Sequence, residues 1–193
     1  DGASPIIKDD SKEPAWQTIG PSSVPVNNGS PIPKAMTIED IDRVKGDFNK
    51  AAQRAEKCGF DMIEVHGAHG YLLHSFFSPI SNKRTDKYGG SFENRIKFAL
   101  EIIADIKSVW PENKPIFYRL SSVDGADGGA TLDENVKLAI ALKEAGVDVI
   151  DCSSGGIGGS PVLMKSKIIP GLQVQYSEKI KKEANISSMT VGA

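Results

Sequence analysis

Only two cysteines occur in the 193 residues, Cys58 and Cys152, with neither CxxC spacing nor a disulfide-rich density. That excludes a disulfide framework and fits a reducing compartment with two buried thiols. Long apolar runs are missing too: none approaches the length that spans a bilayer. Residues 1–30 lack the charged start and apolar centre of a signal peptide. Neither sign of charge dominates, since 23 Lys and Arg stand against 25 Asp and Glu, a net charge of −2. A nucleic-acid or membrane partner would favour a basic stripe, and none is present. No GxGxxG phosphate turn occurs, which counts against an open dinucleotide-binding sheet. What remains is an ordinary globular composition, 39% hydrophobic and 25% charged, with a small-molecule partner and a cytoplasmic location as the expectation. The chain opens on Asp1 and stops at Met189-Thr190-Val191-Gly192-Ala193, an ending that reads as an apolar strand entering a turn. An internal fragment of a longer protein is therefore expected.

Residues 1–36 hold six of the eleven prolines. Such a stretch cannot be helical and makes poor central strand, so a long ordered loop over an active-site face is expected. Order returns at Thr37-Ile38-Glu39-Asp40, where a hydroxyl and two carboxylates suit the free amides of a helix start. Ile41, Val44, Phe48, Ala51, Ala52 and Ala55 follow at helical spacing, and Cys58-Gly59 should end the helix. Met62–Val65 reads as a short strand. A second capped helix starts at Ser91 and ends before Pro111, and residues 115–120 form the next strand. A third helix runs from Leu132 to Gly146, a strand covers 147–152, a fourth helix covers 177–184, and a last strand covers 188–191. The pattern Gly-Phe-Asp-Met-Ile-Glu at residues 59–64 recurs as Gly-Val-Asp-Val-Ile-Asp at 146–151. Alternating helices and strands imply parallel strands with right-handed crossovers. The fold class is α/β, a partial (β/α)8 barrel over residues 37–193, whose chemistry would sit at the strand C-termini.

Histidine is scarce, yet all three lie within nine residues: His66, His69 and His74. His66, Gly67, Ala68, His69, Gly70 and Tyr71 follow a strand, on a turn that glycines allow to fold sharply. Two imidazole N–H groups can converge on a carbonyl oxygen that becomes an enolate. A tyrosine hydroxyl can then protonate the electron-rich carbon. A competing reading is a metal-dependent barrel hydrolase or lyase using His66, His69 and His74. Against it, His74 sits among Leu72, Leu73, Phe76 and Phe77, as in a buried apolar turn. Arg119 is a charge inside the apolar strand 116–120, where it needs a partner. That partner is either an electron-rich ligand such as a flavin ring or a carboxylate, Glu64 or Asp151. Ser153-Ser154-Gly155-Gly156 could approach a phosphate or substrate. Residues 78–95 read as a structural loop closed by Arg84 and Asp86.

The run His66-Gly67-Ala68-His69-Gly70-Tyr71-Leu72-Leu73, with Ser78-Pro79, Asn82, Arg84, Asp86, Tyr88-Gly89-Gly90-Ser91 and Asn94-Arg95, resembles the Old Yellow Enzyme family, most closely its bacterial-type branch. The resemblance implies an FMN-dependent ene-reductase: NADPH or NADH reduces FMN, which passes a hydride to the β-carbon of an activated alkene such as an enone. It implies that His66 and His69 bind the substrate carbonyl, that Tyr71 donates the proton, and that Arg119 contacts the flavin, with no metal. It also implies strands four to seven of the barrel. A homo-oligomeric parent is a separate expectation that the sequence itself does not decide. Early strands ahead of residue 1 and a phosphate site after Ala193 would lie outside the chain. Taken alone, such a piece is expected to be inactive and unable to hold FMN tightly. An inactive truncated barrel is the remaining alternative.

Overall fold

Thr37 opens the first long helix, α1 (Ile38–Lys57), with a reciprocal cap: its hydroxyl accepts the Asp40 N–H and the Asp40 carboxylate accepts the Thr37 N–H, both at 3.1 Å. Such a cap contributes about 1 kcal/mol. Ile41, Val44 and Ala52 are buried, and Phe48 and Ala55 pack beside them. Ala51, expected on the same stripe, is exposed because it falls at the stripe's margin. Cys58 closes the helix, and Gly59 follows at φ +80. Cys58 is also exposed while Cys152 is buried, so the expectation of two buried thiols holds for only one.

A computed structural model describes residues 16–26, 29–157 and 170–192. Two short strands come first, β1 (Ile19–Gly20) and β2 (Lys34–Ala35), paired in parallel. After α1 come β3 (Ile63–Gly67), α2 (Leu72–Phe77), α3 (Phe92–Lys107), β4 (Ile116–Ser121), α4 (Leu132–Ala145), β5 (Val149–Ser153), α5 (Val174–Ala184) and β6 (Ser187–Thr190). Strands β3 to β6 form one parallel sheet in sequence order. Helix–strand alternation with every neighbour parallel is the arrangement of a partial (β/α)8 barrel. The expected helices and strands are all present, with ends shifted by a few residues. Three elements were not expected: β1 and β2, paired inside the proline-rich stretch, and α2, expected only as a turn. Residues 1–15, 27 and 28 of that stretch lie outside the described residues.

Strand alternation divides the sheet into two faces. Val65, Ile116, Tyr118, Leu120 and Ile150 are buried under the helices. Glu64, His66, Phe117, Arg119, Asp151 and Met189 occupy the other face. Register places His66 beside Arg119, Arg119 beside Asp151, and Asp151 beside Met189, one row across four strands. Among the described residues, β3 and β6 are the sheet's edges.

The loop at 78–95 is structural, as its composition suggested. Arg84 donates from Nε and Nη2 to Asp86, and from Nη1 to the carbonyls of Pro21 (3.0 Å) and Met36 (2.6 Å). The Lys83 N–H donates to Ser22 Oγ at 2.8 Å. Pro21, Ser22 and Met36 are thus tied to the loop that follows α2. A cleft of about 400 Å³ opens between them, lined by Pro21, Ser22, Met36, Lys83, Arg84 and Asp86. Every guanidinium nitrogen bordering it is already engaged.

Candidate active site

The turn after β3 folds back because two consecutive residues, His69 and Gly70, adopt the left-handed region at φ +57 and +77. For a histidine this conformation costs about 1 kcal/mol and persists only where neighbours enforce it. The neighbours are identifiable. The His69 N–H donates to Ser121 Oγ at 3.0 Å, and Ser121 Oγ donates to the Gly155 carbonyl at 2.7 Å. The Tyr71 N–H closes the turn on the Ala68 carbonyl at 3.1 Å. Gly67, at the strand's end, leaves room for the Tyr118 hydroxyl, which a Cβ there would approach to 2.1 Å.

This backbone gathers three of the expected side chains. The His66 ring lies 5.3 Å, centroid to centroid, from both His69 and Tyr71. Tyr71, at the N-terminus of α2, is half exposed. His69 Nε2 lies 2.7 Å from Ser153 Oγ, so Ser153 supports a histidine within the turn. Ser154 donates to Gln173 Oε1 at 2.7 Å. The Ser153–Gly156 segment therefore braces the site through its protein contacts.

Burial, reinforced by the Arg119 charge, lowers both site histidines from their ordinary value, His69 to about 4. Both rings are neutral near pH 7, each with one N–H to donate and one nitrogen to accept. The shift has a consequence for acid stability. Between about pH 6.5 and about pH 4 the unfolded chain protonates residue 69 while the folded chain does not. This contribution is complete above the unfolded value and is lost as pH falls through the folded one. Glu64 and Asp151, raised chiefly by burial, act in the opposite sense. We expect denaturant midpoints of wild type and His69→Asn to converge as pH falls across that window. Parallel curves would show that His69 titrates normally.

Arg119 reaches across to β5, where Nη1 lies 3.1 Å from Asp151 Oδ2. Of the two carboxylates weighed for it, Asp151 is the partner. One pairing does not satisfy the group, because Arg119 Nε and Asp151 Oδ1 are both buried without hydrogen bonds. A buried guanidinium N–H left open at the strand C-termini suits an acceptor-rich planar ring.

His74 does not join the other histidines. It is buried, its Nδ1 accepts the Gly70 N–H at 2.9 Å, and its Nε2 lies 2.7 Å from Asp124 Oδ1. Both nitrogens are engaged, so the three-histidine metal reading loses its third ligand. Among the described residues no cluster of three His, Cys, Asp or Glu side chains could hold an ion. Sequence reasoning did not single out Asp124 or Ser121. The available signal was a carboxylate just past a strand end, at the start of a glycine-rich loop.

The comparisons with known proteins concern nearly the whole chain. An NADPH dehydrogenase of Bacillus velezensis is 45% identical over 172 residues, 89% of this chain and 49% of its own length. The NADPH dehydrogenase of Bacillus subtilis is 43% identical over 174 residues, 90% of this chain and 50% of its own. The chain thus spans about half the length of these relatives. Among solved structures, a 2-naphthoyl-CoA reductase complex superposes with a TM-score of 0.81 at 29% identity, covering 90% of this chain and 26% of that one. Morphinone reductase superposes at 0.71 with 25% identity, covering 91% and 49%. The family profile described as NADH:flavin oxidoreductase / NADH oxidase matches residues 7–193. The expectation drawn from the histidine motif is therefore correct: the chain belongs to the NADH:flavin oxidoreductase / NADH oxidase family.

Proposed function

We propose that this chain forms the substrate-facing part of an FMN-dependent ene-reductase that uses NADPH or NADH. The observation that carries the reading is the convergence of His66, His69 and Tyr71 at the C-terminal end of β3. FMN, when bound, supplies the hydride that it receives from NADPH or NADH. The chain's own residues do the rest. His66 and His69, both neutral, donate N–H groups to the carbonyl oxygen of an enone or similar electrophilic alkene, and so stabilise the negative charge that develops there. The Tyr71 hydroxyl delivers the proton to the α-carbon. Arg119, with Nε free and Nη1 held by Asp151, holds the electron-rich edge of the cofactor ring. Residues 21–26 and 29–36, tied to the loop after α2 through Pro21 and Met36, form part of the cover over this face. The solved morphinone reductase complex with tetrahydroNAD supports a nicotinamide donor.

The test is a chimera in which this segment replaces the matching half of the Bacillus subtilis NADPH dehydrogenase. A visible flavin band that bleaches under anaerobic NADPH and returns on adding an enone is the expected result. A folded, colourless chimera that takes up no FMN overturns the reading.

A further inference from the structure

His74 is the one histidine that the proposed chemistry leaves unused, yet it has the most completely specified surroundings. Its ring bridges two loops that follow different strands. On one side Nδ1 accepts the N–H of Gly70, the residue between His69 and Tyr71, at 2.9 Å. An Nδ1 that accepts carries no proton, so Nε2 bears the hydrogen and donates it to Asp124 Oδ1 at 2.7 Å. Asp124 is itself fixed in the loop after β4. Its Oδ2 accepts from Ser78 Oγ at 2.6 Å and from the Ala130 N–H at 2.7 Å, and its own N–H donates to the Ala130 carbonyl at 3.1 Å. His74, Ser78 and Asp124 are all buried. Burial works to raise the Asp124 carboxyl, but the bonds from His74, Ser78 and Ala130 outweigh it and hold it below the usual range. A carboxylate locked in place leaves the imidazole one tautomer, and that tautomer is the one able to accept from Gly70.

We propose that His74 is a positioning residue for the site: by accepting the Gly70 N–H in the tautomer that Asp124 imposes, it holds His69 in its left-handed conformation and sets Tyr71 beside His66. Its kinetic consequence rests on the ene-reductase reading, while the bond itself does not. A plain core histidine would differ in one respect. Its replacements would harm activity only as far as they harm folding.

Two near-isosteric variants separate these cases. In His74→Asn the amide oxygen stands near the position of Nδ1 and can still accept from Gly70, while Asp124 loses its donor. In His74→Gln the amide N–H stands near Nε2 and can still serve Asp124, while Gly70 loses its acceptor. Asp124→Asn offers the ring a donor and favours the tautomer that opposes the Gly70 N–H. In the chimera, His74→Gln and Asp124→Asn are expected to lower kcat for enone reduction about 100-fold, the effect of a roughly 1 Å misplacement. His74→Asn keeps most of the activity although it melts at the lower temperature, because it strands a buried carboxylate. An activity order that reverses the stability order supports the proposal. Activities that fall together, or that track the melting temperatures, overturn it. Nitrogen-15 spectra of the full chain give a readout independent of catalysis. An unprotonated His74 Nδ1 is expected in the wild type, together with a hydrogen-bonded Gly70 amide whose signature is retained in His74→Asn and lost in His74→Gln. A protonated Nδ1 in the wild type overturns the proposal whether or not the chimera reduces enones.

Discussion

Replacing Tyr71 by Phe in the chimera is expected to lower kcat for enone reduction by about 10²–10⁴, the range for losing a positioned proton donor. KM for the enone should stay near its wild-type value, because on the proposed reading the carbonyl oxygen is bound by His66 and His69, and Phe retains the ring beside His66. A substitution that removes an interaction made only in the transition state lowers kcat and kcat/KM together. The side chain is 51% exposed, so little stability depends on its hydroxyl. A folding defect is therefore not the competing account. His66→Ala should both raise KM and lower kcat, because the lost N–H binds the carbonyl oxygen and also stabilises the charge that develops on it. Steady-state kinetics of the two variants settle the division of labour. A Tyr71→Phe variant with unchanged kcat would assign the proton to another group.

The largest loss of stability is expected from Gly156→Ala. This glycine has φ +104, a conformation that carries a penalty of about 1–3 kcal/mol for a side-chain-bearing residue. Its Cβ would also lie 2.2 Å from the His69 carbonyl carbon, 2.3 Å from His69 Cα and 2.7 Å from the Gly70 nitrogen. All three atoms are backbone, so no flexible side chain can swing away. Overpacking of this kind adds about 1–3 kcal/mol. We expect a combined loss of about 3 kcal/mol or more, measured as a drop in the urea midpoint of the chain. Gly90→Ala is the control. Its φ is +82 but nothing lies within 4 Å of the added Cβ, so it should lose only about 1 kcal/mol. Equal losses in the two variants would mean that the close approach of the two turns contributes nothing.

Features specified by a few neighbouring residues were legible in the sequence. Thr37 and Ser91 cap helices as their positions suggested, because a cap is a contact within three residues; Thr131 caps α4 in the same way, although the sequence reading did not single it out. The histidine turn was legible for a similar reason: His66, His69 and Tyr71 share one short backbone reversal. Helix α2 was not. It is six residues long, and its N-cap residue, Tyr71, makes no side-chain cap bond, so a single apolar turn was the natural reading. Asp124 stayed hidden because its partners, His74 and Ser78, lie 50 and 46 residues away. Arg119 was half legible. Its need for a partner followed from its place in an apolar strand, but the choice between a carboxylate and a ligand depends on how many guanidinium nitrogens one carboxylate can reach.

Ser121 joins three connections with a single hydroxyl: it ends β4, accepts from His69 in the loop after β3, and donates to Gly155 in the loop after β5. For anyone who evolves or engineers this protein, that linkage means that the loops are not independent modules. A substitution chosen to reshape substrate preference near residue 155 also alters the footing of His69, so its benefit depends on what already occupies the first loop. Pairs of changes across the two loops should depart from additivity by about 0.5–3 kcal/mol, whereas distant surface pairs combine simply. Libraries that vary both loops together will therefore reach sequences that one-loop-at-a-time selection discards.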